Sequence, residues 1–159
     1  MNRSALIVGA GSGLSSSLAL QCANLGMDVA LAARNIKKLE DLSIQTGASL
    51  HKCDASKIED VNHLFKDLDE KLGIPELVVY NPSSRLRGGI ETLDPEKTKE
   101  ALEVTCFGAF LVAQQATKRM LKRGSGSIFF TGASAGVKGF ANSSVFAMGK
   151  FGLRGLAQA

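Results

Sequence analysis

The first apolar run, Ala5-Leu6-Ile7-Val8, has no polar break and predicts a strand buried on both faces. Glycines follow at every second position, Gly9, Gly11 and Gly13, and then Leu14, Leu18, Cys22 and Leu25 recur along one predicted helical face. The alternation continues. Residues 29–33 predict a second strand, 36–46 a short helix stopped by Gly47, and 49–53 a third strand ending at Asp54. Ile58, Val61, Leu64, Phe65, Leu68 and Leu72 mark the next helix, which Gly73-Ile74-Pro75 closes before a fourth strand at 77–80. Residues 81–93 form a polar, glycine-bearing loop. Asp94 ahead of Pro95 is a helix start, and one long helix is expected from there to about Lys122. Residues 127–131 predict a fifth strand, and a last helix begins near Ser143 or Ser144.

Strands that alternate regularly with helices imply an α/β fold, a parallel sheet with helices on both faces and ligands at the carboxyl ends of its strands. The opening strand–glycine turn–helix is the local form of a pyrophosphate seat. Glycine permits close backbone approach, and a helix start offers free N–H donors and the positive end of a dipole. The spacing is not G-x-G-x-x-G: counted from Gly9 the third place falls on Leu14, and counted from Gly11 on Ser16. It fits G-x-x-x-G-x-(G) at Gly9 and Gly13, with Ser15 in the last place.

Composition narrows the classes. At 159 residues, 45% hydrophobic and 21% charged, the chain is expected to be one globular domain, residues 1–159. A net charge of +4 suits an anionic cofactor, while scattered basic residues, one tyrosine and no tryptophan argue against nucleic-acid binding. Cys22, Cys53 and Cys106 lack C-x-x-C spacing, and His51 and His63 lack ligand-like neighbours, so neither a disulfide framework nor a metal site is expected. No apolar run reaches bilayer length and no leader precedes the first strand, so a cytoplasmic protein with no membrane partner is expected.

With these elements in place, the chain resembles the short-chain dehydrogenase/reductase family along essentially its whole length. Residues 8–15 look like the family's T-G-x-x-x-G-x-G, with Val8 for Thr and Ser15 for the last Gly. Asp54 matches the acidic residue after the third strand, Tyr80-Asn81-Pro82-Ser83 stands where the family has N-N-A-G, and Phe146-Ala147-Met148-Gly149-Lys150 occupies the Y-x-x-x-K motif. The resemblance implies a three-layer Rossmann-type fold and a nicotinamide coenzyme contacted by Gly9, Gly11, Ser12, Gly13, Leu14, Arg34, Asn35, Asp54, Ala55, Asn81 and Lys150. After the second strand the chain carries Ala32-Ala33-Arg34-Asn35 with Lys37 and Lys38, and no carboxylate. A guanidinium there forks onto a 2′-phosphate, so NADP (as NADPH) is expected over NAD.

The family's catalytic set is Tyr, Lys, Ser and Asn. Here Phe146 stands at the Tyr position and Thr105 at the Asn position; Ala133 falls at the Ser position with Ser134 one residue later, and only Lys150 is kept. Phenylalanine has no proton to give. Lys150 is the best remaining acid, although it also reads as a clamp on ribose hydroxyls alone. Phe151 reads as core. Two functions therefore stay open: an NADP-dependent oxidoreductase acting on a small carbonyl or alcohol with a degraded tetrad, and an NADP(H)-binding pseudoenzyme. By analogy, a homo-oligomer would pair through the helix after Asp94 and the helix carrying Lys150. The chain stops without a cap, so a fragment lacking its last strands is expected, with residues 128–130 left as an apolar edge.

Overall fold

The computed structural model describes residues 3–159. Its strands are β1 (Ser4–Val8), β2 (Asp28–Ala33), β3 (Ser49–Lys52), β4 (Leu77–Tyr80) and β5 (Ser127–Phe130). All pair in parallel, in the order β3-β2-β1-β4-β5. Val8 lies opposite Ala32 on one side and Tyr80 on the other. The chain leaves β3 at one edge and returns beside β1 as β4, so the strand order reverses at β1 and opens a crevice at the carboxyl ends there.

Alternate residues of the sheet feed two cores. Leu6, Val8, Ala30, Val78 and Tyr80 pack against α3 (Ile58–Lys71) and α5 (Gly108–Arg123). Ala5, Ile7, Val29, Leu31 and Val79 pack against α1 (Leu14–Asn24) and α2 (Glu40–Thr46). The result is the expected three-layer Rossmann-type arrangement.

Several details depart from the sequence reading. The inward face of α1 is Ser15, Ala19 and Cys22, while Leu14 and Leu25 are exposed. Small residues bring this helix close to the sheet, Leu18 and Leu20 pack at its flanks, and Leu14 and Leu25 are left outside. The 36–46 segment opens with a 3-10 turn (Ile36–Leu39) before α2. The long helix is interrupted: α4 (Pro95–Leu102) passes through a π turn (Glu103–Phe107) into α5. The Tyr80 hydroxyl donates to the Val104 carbonyl inside that turn at 2.5 Å. Phe151, read as core, lies exposed on α6 (Ser144–Gln158), whose buried side is Val145, Gly149, Lys150 and Leu153. Among the described residues β5 has β4 alone as a neighbour in the sheet, and its Phe129 is 60% exposed, in line with the expected apolar edge. Among the described residues, no helix is long and apolar enough to cross a membrane.

Candidate functional site

The chain leaves β1 through Gly9, whose φ of +76° favours glycine; a Cβ there would also come within 2.6 Å of the Pro82 ring. The Gly9 and Ala10 amides donate to the Ala32 carbonyl at 2.9 and 3.1 Å, pinning the loop to β2. Gly11 and Gly13 are different. Neither has a positive φ, and a Cβ on either would meet nothing within 4 Å. The protein itself therefore does not demand glycine at these two positions. What their bare backbone provides is room for a ligand to approach the start of α1, where N–H groups have no partner within the helix. Ser15, in the place of the family motif's last glycine, is buried. Its hydroxyl donates to the Gly9 carbonyl at 3.2 Å and accepts from Asn81 Nδ2 at 2.8 Å, so the ends of β1 and β4 are tied together beneath the loop.

A cleft of about 570 Å³ opens above these residues, within the usual size of a small-ligand site. It brings together Gly9, Gly11, Ser12, Arg34, Asn35, Asp54, Ala55 and Asn81 from the expected set. Gly13 and Leu14 are not on its wall, and Leu14 is exposed. Asn35 spends its side-chain oxygen on the Lys37 amide at 3.2 Å, capping the 3-10 turn. Lys38 joins Arg34 on the wall. Burial raises the Asp54 carboxyl, but donation from the Ser56 hydroxyl (2.7 Å) and amide (3.1 Å), with Arg34 and Lys57 nearby, brings it below its ordinary value. Asp54 is thus an ionised acceptor at the end of β3. Burial pushes the neighbouring Cys53 thiol up to about 12, so the cleft contains no thiolate there. Two cations, one ionised carboxylate as acceptor and an open glycine turn form a set of groups that fits an adenine-nucleotide coenzyme.

The other expected residues gather on the far side of β4. Lys150 is buried, and its ammonium donates to the Thr131 carbonyl at 2.6 Å. Burial first, and then the charge of Arg85, lower its pKa below the ordinary lysine value. Its Nζ lies 5.8 Å from the centre of the Phe146 ring. Thr105 sits in the π turn, buried, with Oγ1 accepting the Ser84 amide at 2.9 Å and its side chain against Gly149. Ser134 and Phe146 line a second cavity, of about 690 Å³, whereas Ala133 faces away into a smaller pocket beside Lys150. Tyr80, the chain's only tyrosine, is buried with its hydroxyl committed to Val104, and burial pushes its pKa up.

Arg85 escaped the sequence reading. Its guanidinium carbon lies 4.3 Å from the centre of the Phe146 ring, and with Arg87 it lines the second cavity. The signal was present as two arginines two positions apart in the 81–93 loop, but nothing in the sequence shows which way a loop side chain turns.

The short chain dehydrogenase family profile matches residues 3–159. Sepiapterin reductase of Chlorobaculum tepidum is 29% identical over 96% of this chain and 68% of its own length. A short-chain dehydrogenase structure from Rhodopseudomonas palustris superposes with a TM-score of 0.93 at 28% identity, covering 99% of this chain and 76% of that one. An alcohol dehydrogenase from Thermococcus sibiricus, solved with 5-hydroxy-NADP, gives a TM-score of 0.91 at 26% identity over 99% of this chain and 69% of its own. A parallel sheet with its glycine turn at the switch point, matched end to end by this profile, places the protein among the nucleotide-binding α/β oxidoreductase folds. The chain belongs to the short-chain dehydrogenase family.

Proposed function

We propose that the chain is an NADP(H)-dependent oxidoreductase acting on a small carbonyl or alcohol with a reduced catalytic set. The observation that carries this reading is Arg34 in the cleft at the end of β2, with Lys38 beside it and no carboxylate at that strand end. A guanidinium forks onto a 2′-phosphate, whereas an acid in that place would select a free 2′-hydroxyl. The NADP derivative in the Thermococcus sibiricus relative supports the same choice. A bound coenzyme would supply or accept the hydride. Phe146 contributes an apolar wall and no proton. Ser134 offers a hydroxyl from the same wall to orient a substrate oxygen. Lys150 is the proton-bearing group beside Phe146, and its lowered pKa moves it toward the range in which an acid works near neutrality. The exposed Phe107 of the π turn, Phe110 of α5 and Met148 of α6 support a homo-oligomer, and the whole reading is that of a cytoplasmic enzyme.

A second reading, a coenzyme-binding protein without turnover, is favoured by Arg85 stacked on Phe146 and by the Thr105 hydroxyl already engaged with Ser84. Fluorescence titration with NADPH and NADH, followed by NADPH consumption over a panel of aldehydes and ketones, separates the two. The oxidoreductase reading expects NADPH to bind on the order of tenfold tighter than NADH, a preference of about 1.4 kcal/mol that Arg34→Ala removes. It also expects slow turnover that Phe146→Tyr raises by roughly 10²-fold. Coenzyme binding with no turnover in either protein favours the second reading, and no coenzyme binding overturns both.

A further inference from the structure

We propose that the cavity beside Phe146 receives a substrate bearing a carboxylate or phosphate group, which Arg85 and Arg87 bind. This deepens the oxidoreductase reading and rests on it. The charged side chains on the cavity wall are these two arginines; the rest of the lining is glycine, alanine, phenylalanine, serine hydroxyls and one amide. Glu91, on the same loop, packs beside Gly89 and is not on the wall. Among the described residues neither arginine has an ion-pair partner, although Arg3, Arg119 and Arg123 elsewhere in the molecule each have one.

The Arg85 guanidinium lies 4.3 Å from the centre of the Phe146 ring, a cation–π contact that sets its N–H fork beside the cavity. The buried Lys150 ammonium lies 5.8 Å from the centre of the same ring, with a protein carbonyl as its partner. Like charges converge at this point and no carboxylate of the wall offsets them. An anionic ligand supplies that missing charge, and a planar carboxylate or a phosphate matches the guanidinium fork in two hydrogen bonds. Ser134 and Ser143 on the same wall leave a polar place for a second oxygen of the ligand. At about 690 Å³ the cavity has room for a small organic acid rather than an isolated ion.

The test is a ligand-observed NMR titration of the full chain with 2-oxo-4-phenylbutyrate and with its methyl ester, probes that share one acyl skeleton and differ in charge. The acid is expected to bind on the order of tenfold tighter than the ester, with an affinity that weakens as salt rises while the ester's does not. Combined Arg85→Ala and Arg87→Ala substitution removes the acid's advantage and leaves ester and NADPH binding unchanged. The single Arg87→Gln variant, read in parallel, shows a partial loss should the double variant not fold. Equal binding of acid and ester, binding of neither, or an acid preference that survives these substitutions overturns the proposal. NADPH titrated into the same samples keeps the outcomes apart. Lost NADPH binding with the acid preference intact defeats the coenzyme reading, and the reverse result defeats this one.

Discussion

Ser15 puts a hydroxyl where the family's motif has glycine, and Asn81 makes that hydroxyl part of the structure by donating to it at 2.8 Å while it donates in turn to the Gly9 carbonyl. Reverting the motif with Ser15→Gly removes both bonds and adds a flexible residue to the first turn of α1. The expected cost is about 2 kcal/mol of unfolding free energy, measured in urea. His51 makes a second prediction at this scale. Its ring is buried beside Ser49, and burial lowers its pKa from 6.5 by more than Asp67, 3.7 Å away, raises it. The unfolded chain therefore takes up the proton first as pH falls. Stability is complete above pH 6.5 and declines through the window beneath it, so the melting temperature should fall more between pH 7 and 5 in the parent than in His51→Gln. Residue types carried much of the site's chemistry. Arg34, Asp54 and Asn81 could be named from position in the motif, because strand ends fix where such side chains emerge. Arg85 could not, since its role depends on a loop folding back onto α6.

Between α4 and α5 the π turn is built around close contacts at its edges. Gly108, its first residue beyond, has no Cβ; one placed there would strike the Tyr80 hydroxyl and lie 2.6 Å from the Ala55 carbonyl. Gly108→Ala is expected to cost about 1–3 kcal/mol, seen as a lower urea midpoint with an unchanged slope. It should also shift Thr105, read as a change in the exchange rate of the Ser84 amide that Thr105 accepts. The existence and order of the strands were legible because β1, β2, β4 and β5 are short apolar runs between helical patterns, and the short β3 is marked out by Gly47 before it and Asp54 after it. The π turn was not, since one extra residue in a helix leaves the apolar spacing on either side intact. The inward face of α1 was misread for a related reason. Hydrophobic spacing ranks Leu14 and Leu25 above Ser15 and Ala19, while close packing on the sheet selects for size.

For the whole molecule, the two halves of the site rest on unequal foundations. The cleft is set mainly on β1, β2 and β4, each with a strand on either side, and takes Asp54 from the end of the edge strand β3. Ser134, on the wall of the second cavity, follows β5, which among the described residues has β4 alone as a neighbour and carries an exposed Phe129. The sheet order could be inferred from the alternation of elements, but this inequality depends on which strands lie at the edge. Amide hydrogen exchange followed by mass spectrometry should show β5 and the segment after it opening at least tenfold faster than β1 and β2. Equal protection would mean that α6 clamps β5 as firmly as a strand does. The walls that β1, β2 and β4 lend the cleft are therefore expected to keep their shape while the segment after β5 opens and recloses, so a coenzyme's seat would outlast local unfolding at the neighbouring cavity.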